Sequence, residues 1–314
     1  MSKLVYFLVP LGILLSGVTL VNLQEADSLH DLKYMGDHLS VVNTDLPPGL
    51  TFCGEYVPLE KMQVKKRIER ELKKHLIHTA NTRLILRRAN QYRPLIMPIL
   101  RKHQIPEDLF YLAVAESMLS NATSSKGASG FWQFMPTTAR EYGLEISPTI
   151  DERYHLEKAT EAACQYLKAS YKRYGSWTLV AASYNMGPTG LDNAIKAQGT
   201  KDFYSLKLNR ETGNYLYRIL GLKCVLDNPA RYGIRINDLK TRPGQVVAKV
   251  EATESIHDLE AFAKAHHTTV EELRALNPWI TAARLEVPPH KSYKIAVPAV
   301  DAASAGPLLT AISK

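Results

Sequence analysis

PEDLFYLAVAESMLSNATSSKGASGFWQFMP occupies residues 106–136 and joins two unlike patterns. Pro106 suits the first turn of a helix, where its missing N–H would be unpaired anyway and its φ is already helical. Projected at 3.6 residues per turn over 106–119, Glu116 shares a face with Leu109, Leu112, Ala113 and Leu119. It also falls near the C-terminal end, where the helix dipole disfavours a negative charge by about 0.3–1 kcal/mol. Burial and dipole both resist ionisation, so both should raise its pKa. A proton-donating carboxylic acid for glycoside chemistry needs that kind of environment. Taken alone, the segment fits equally well a helix end that carries a semi-exposed Glu. From Ser120 to Gly130 the composition turns to Gly and Ser, which reads as a loop.

Upstream the chain is helical and basic. Val64, Ile68, Leu72 and Leu76 recur every four residues, with Ile85 in the next helical segment and Lys/Arg between. Pro94 and Pro98 are expected to interrupt that pattern. Residues 61–102 hold thirteen Lys/Arg against Glu69 and Glu71, a local charge of +11, so the rest of a chain of net +8 sums to −3. The protein is therefore not basic throughout; one segment is. At roughly 150 residues per domain, 314 residues imply about two domains. With 45% hydrophobic and 22% charged residues, a disordered or collagen-like chain is excluded.

Lys3 precedes an apolar run from Leu4 to Val21, which reads as a secretory signal or an N-terminal membrane anchor. Export to the cell envelope, the periplasm, is the expected location. Three cysteines are too few for a disulfide scaffold. Cys164 and Cys224 fall in expected helices and read as buried small hydrophobes rather than a bridge, and Cys53 as a loop thiol. There is no C-x-x-C and no H-E-x-x-H, so neither metal nor cofactor is called for.

Downstream, helical patterns return at about 155–174, 177–186 and 211–226, and Asn228-Pro229 breaks the last. Val246–Val250 reads as a strand, Ser255–His266 and Thr269–Leu276 as short helices, and Tyr293–Val297 as a returning strand. The expected order is signal or anchor at 1–26, a linker or arm at 27–59, and basic leading helices at 60–104. A mainly α core at 105–230 follows, then a linker at 231–245, a βααβ unit at 246–298 and a tail at 299–314.

Four blocks fall in order: Glu116-Ser117; Ala122 to Pro136 with Thr138-Ala139; Ala182-Ser183-Tyr184-Asn185-Met186-Gly187; and Glu211-Thr212 with Tyr215. Together they resemble the lytic transglycosylases of the soluble-transglycosylase, goose-lysozyme-like family. The pattern there runs Glu-Ser, A-x-S-x-x-G-A-x-G-[LFI]-[MW]-Q-x-x-P-x-T-A, A-Y-N-x-G and E-T-x-x-Y. The leading helices and the C-terminal unit extend the resemblance to the membrane-bound murein transglycosylase D type, over roughly 60–298. Ser183 and Met186 depart from the residues usual around Tyr-Asn.

The resemblance implies a lysozyme-like (goose-type) catalytic domain with Glu116 as catalytic acid/base. It makes Ser124 the serine that hydrogen-bonds near that carboxyl. Gln133 and Met135 become groove positions flanking the scissile bond. Tyr184 and Asn185 become the pair facing the acid, and Glu211 and Tyr215 support the groove wall. Trp132, Met135 and Tyr215 fit core packing as well. Two-carboxylate glycosidases need a second acid about 5–9.5 Å away, and the aligned blocks offer no obvious one. Asp108 lies more than ~10 Å back along the helix at 1.5 Å per residue. A single acid fits substrate-assisted cleavage of the MurNAc-β-1,4-GlcNAc bond with a 1,6-anhydroMurNAc product.

The C-terminal unit resembles a LysM module through Leu276-Asn277-Pro278, but Thr253-Glu254-Ser255-Ile256 replaces its usual Gly-Asp-Thr-Leu opening. A LysM-like fold with weak or no glycan affinity is expected. The implied partners are peptidoglycan glycan strands, with membrane association through the N-terminus and no nucleic acid. A hydrolytic muramidase on the same fold and a silent wall-binding scaffold stay open as rivals. The basic face of 61–102 reads either as solvated helix surface or as a surface for wall carboxylates or anionic lipid headgroups.

Overall fold

The computed structural model describes residues 44–235 and 247–299. The expected signal or anchor at 1–26, the first part of the arm, most of the 231–245 linker and nearly all of the tail lie outside the described residues. Among the described residues no helix is long and apolar enough to cross a membrane.

Helix α1 (Met62–Ile77) buries Val64, Ile68, Leu72 and Leu76, the four-residue stripe of its sequence. Lys65, Lys66, Arg70 and Lys73 lie on its exposed side. Helix α2 (Thr79–Lys102) corrects the expected break, for it runs on through Pro94 and Pro98. Pro94, Pro98 and Asn90 are all exposed, while Ile96, Met97 and Leu100 are buried. The carbonyls left without a helical partner thus face water, which removes most of the cost of an internal proline.

A 3₁₀ turn at Glu107–Leu109 leads into α3 (Phe110–Ser117). The helix expected over 106–119 is thus shorter, because Met118 (φ 51°) and Leu119 (φ 53°) are left-handed and stop it just after Glu116. The block continues with α4 (Pro136–Glu141), α5 (Leu156–Tyr174), α6 (Trp177–Met186), α7 (Pro188–Gln198) and α8 (Arg210–Asp227). Helix α7 was not anticipated; Pro188 opens it and left-handed Gly199 closes it. Helices α3 and α6 are apolar nearly all round, as Leu112, Ala113 and Val114 of one and Leu179, Val180 and Ala181 of the other are fully buried. Helix α8 packs on α1 at Gly221, where a Cβ would come within 3.1 Å of Glu71 Cβ and Leu72 N.

The arm expected at 27–59 is, over its described part, integral to this block. Strands β1 (Thr51–Phe52) and β2 (Glu55–Tyr56) form a hairpin, and Phe52 and Val57 are fully buried. Glu55 accepts from Ser176 Oγ (2.9 Å), from Trp177 N–H and from Thr178 N–H (3.2 Å), capping α6 with a carboxylate where the helix dipole favours one. Cys53 N–H donates to Asp108 Oδ2 (2.7 Å), whose other oxygen takes Lys223 Nζ (2.6 Å). Cys164 and Cys224 are buried free thiols, pushed up by burial to about 12 and about 11, so neither acts as a thiolate.

The C-terminal unit is the expected βααβ. Strand β3 (Val247–Ala252), helices α9 (Leu259–Ala265) and α10 (Val270–Leu276) and strand β4 (Tyr293–Pro298) build it, with β3 and β4 antiparallel from Val247↔Pro298 to Ala252↔Tyr293. Asp258 and Thr269 cap the two helices. Its core of Leu259, Leu273, Trp279, Leu285 and Ile295 also takes in Ile150 of the helical block. Around that residue Asp151 N–H donates to Trp279 O (2.9 Å), Thr281 N–H to Thr149 O (3.0 Å) and Tyr293 OH to Glu145 (2.9 Å). The unit is therefore seated on the block rather than tethered to it.

Candidate active site

Glu116 sits in the last turn of α3, and Ser117 fastens that end. Ser117 Oγ donates to Phe131 O (2.8 Å) across the loop, and Ser120 Oγ donates to Ser117 O (2.6 Å). The helix stops on Met118, whose N–H reaches Val114 O (2.9 Å) from a left-handed backbone. Non-glycine residues in that conformation are uncommon and concentrate at functional sites.

The carboxyl of Glu116 accepts the hydroxyl proton of Tyr215, which is buried in α8. Burial is the main cause that lifts Glu116 above the usual carboxylate range. The Tyr215 hydrogen bond and the Arg218 guanidinium pull it down, and the Glu211 carboxylate pushes it up. Tyr215 and Tyr184 are both held well above the usual phenol value, first by burial and next by the Glu116 charge.

Tyr184 and Asn185 lie in the last turn of α6, and the Glu116 charge acts on Tyr184. Tyr184 OH donates to Trp132 O (2.6 Å), so its oxygen keeps only acceptor capacity. Asn185 bridges to α8, accepting from Thr212 Oγ1 (2.8 Å) and donating to Glu211 Oε1 (3.5 Å). Two pairings thus bring these helices together, Tyr215 on Glu116 between α3 and α8, and Asn185 on Thr212 and Glu211 between α6 and α8.

The loop residues stand apart from it. Gln133 (φ 50°) spends its amide on the loop, donating to Ala122 O (2.9 Å) and Gly130 O (2.8 Å). Met135 is 44% exposed at the start of α4, a thioether available to a ligand. Ser124 is exposed, and its hydroxyl accepts Ala128 N–H (3.0 Å) within the loop; the Glu116 carboxyl takes its hydrogen bond from Tyr215 instead. Trp132 is fully buried and donates to Thr160 Oγ1 (3.0 Å), which makes it core.

Arg153, which sequence reasoning missed, holds the loop from behind. It pairs with Asp151 (Nη2–Oδ2 2.6 Å) and donates to Gly127 O (2.7 Å) and Phe134 O (3.1 Å). Its own carbonyl lies where a Cβ on Gly130 would be, at 1.9 Å, so only glycine fits there. Arg153 sits outside the four motif blocks, and nothing local to it marks the role. Among the described residues no group of His, Cys, Asp and Glu can hold a metal ion.

Residues 94–207 match the transglycosylase SLT domain, and residues 248–301 match the C-terminal LysM-like domain of soluble lytic transglycosylases. The chain carries a transglycosylase SLT domain. Its acid, its Gly-rich loop and the Tyr184-Asn185 pair all lie within that match, while Glu211 and Tyr215 lie just beyond it. The relatives include the membrane-bound lytic murein transglycosylase D of Escherichia coli (strain K12) and that of E. coli O6:H1 (strain CFT073). Each is 30% identical over 225 residues, which cover 70% of this chain and 49% of the relative. A protein of Alteromonas sp. (strain M-1) named for tributyltin chloride resistance is 33% identical over 110 residues, 34% of this chain and 53% of that protein. The chain spans about half the length of the curated relatives it matches.

Proposed function

We propose that the protein is a peptidoglycan lytic transglycosylase in which Glu116 acts alone, first as acid and then as base. One observation carries this reading: a desolvated carboxyl at a helix end, held by one buried tyrosine and, among the described residues, hydrogen-bonded to no second carboxylate. Glu211 is exposed and engaged with Asn185, which fits a supporting role rather than that of a nucleophile. The names of the SLT domain and of the murein-cleaving relatives point the same way.

In this mechanism protonated Glu116 donates to the oxygen of the MurNAc-β-1,4-GlcNAc bond. The muramoyl N-acetyl oxygen closes on C1 as the leaving group departs. Ionised Glu116 then takes the proton of the C6 hydroxyl, which attacks C1 and expels the N-acetyl oxygen. A 1,6-anhydroMurNAc end results and no water is consumed. Tyr184, with its proton spent on Trp132 O, is an acceptor suited to the acetamido N–H. A pKa lifted toward working pH lets one carboxyl serve in both directions.

Digestion of purified sacculi followed by mass spectrometry tests the reading. Anhydro ends are expected; products heavier by one water per cut identify a hydrolytic muramidase, and no products at all a binding protein. The envelope is the setting of that substrate, reached through the Leu4–Val21 run. The LysM-like unit is proposed to add little glycan affinity, since one of its sides is already occupied by the 145–151 segment.

Tyr215→Phe should lower kcat by about tenfold or more, because the acid loses its positioning bond. Its alkaline limb should move to higher pH, since the lost bond is one that lowers the Glu116 pKa. A pH–rate profile unchanged from wild type would remove Tyr215 from the mechanism.

A further inference from the structure

Tyr215 also lines an open cavity of about 410 Å³ between α1 and α8, together with Glu71, Lys74, Arg210, Glu211 and Arg218. The close approach at Gly221 brings α1 and its Glu71 against α8. Glu71 is buried and takes Lys74 Nζ (2.6 Å), and Glu211 accepts from Asn185, so both acids are engaged. Arg210 and Arg218 enter no ion pair among the described residues. Arg218 packs over the Tyr215 ring, 5.1 Å from its centroid, and its Nε is buried with no hydrogen-bond partner among the described residues. A desolvated donor of this kind carries a penalty that a bound acceptor relieves. A guanidinium fork matches a carboxylate better than any neutral group.

The ligand class follows from the chemistry of the strand. Its sugars are neutral once the muramoyl lactyl group is amidated, so its carboxylates sit on the peptide. We propose that this cavity receives a carboxylate of the peptide stem borne by the strand, with Arg218 as the fork that meets it and Arg210 at the rim. The inference rests on the transglycosylase reading, from which the substrate comes. It makes the protein selective for peptide-bearing strands over stripped ones.

The test compares kcat/KM on strands with intact stems and on strands whose stems an amidase has removed. Wild type should favour the first. Arg218→Met should lower that preference by about tenfold, and Arg218→Lys by less, because a point charge keeps the attraction but loses the fork. Arg218 also bears on Glu116, so some loss on both substrates is expected; the ratio is the readout. Binding of each strand type to Glu116→Gln and to Glu116→Gln/Arg218→Met, measured by calorimetry, checks the same preference without turnover. Equal losses on both strand types, with no change in relative binding, would overturn the inference alone. A wild type that makes no anhydro ends would overturn the functional reading instead.

Discussion

Glu116→Gln should abolish the proposed glycan cleavage and leave the protein folded. An amide cannot deliver a proton to the leaving oxygen, nor take one from the C6 hydroxyl. General acid–base groups contribute roughly 10²–10⁴ to rate each time they act. One carboxyl is proposed to act in both halves of the reaction, so the loss should reach at least about 10³. Tyr215 OH can still donate to the amide oxygen, so the contact between α3 and α8 is kept. The stability effect has a definite sign. The folded protein holds the Glu116 proton more tightly than the unfolded chain does, because burial raises its pKa. Stability from this group is therefore complete below the ordinary carboxyl range and is lost as pH rises through the raised value. Glu116→Gln removes that loss, so thermal melts should show the variant gaining on wild type from mildly acidic pH upward. Retained activity would displace Glu116 from the chemistry. A variant that loses stability at neutral pH would mean that the carboxyl is not desolvated as described.

Arg153→Met should lower stability by about 3–5 kcal/mol, the usual cost of stripping one partner from a buried ion pair. Asp151 keeps the backbone N–H of residue 153 (3.1 Å) but its buried charge loses the guanidinium, and Gly127 O and Phe134 O lose their donor. The damage should spread in two directions. Toward the site, the loop from Ser124 to Gly130 loses its rear support, so kcat should fall in whatever fraction remains folded. Toward the C-terminus, Asp151 N–H holds Trp279 O, so the LysM-like unit should loosen with it. Denaturant unfolding measures the first quantity, and hydrogen exchange at 279–281 reads the second. Unfolding at the wild-type midpoint would refute this assignment of Arg153.

The helical block and the βααβ unit were legible because their apolar spacing is local. Val64, Ile68, Leu72 and Leu76 announce a helix whatever they pack on. Glu116 was legible for the same reason, as a carboxyl placed on an apolar face. The arm at 44–59 was not, since Glu55 acquires its role only when folding brings it to the N-terminus of α6. Helix α2 misled because a proline's cost depends on whether the freed carbonyl meets water, which depends on the far side of the helix.

Residue order alone thus marked the candidate acid, the motif blocks and the kinds of element, each of which depends on neighbours within a few turns. Only the tertiary structure decided which hydroxyl holds Glu116, which guanidinium backs the loop, and that Arg218 faces a cavity. Those contacts join residues tens of positions apart, as with Tyr215 and Glu116. Side-chain chemistry permits many such pairings, and close packing of the helices selects one.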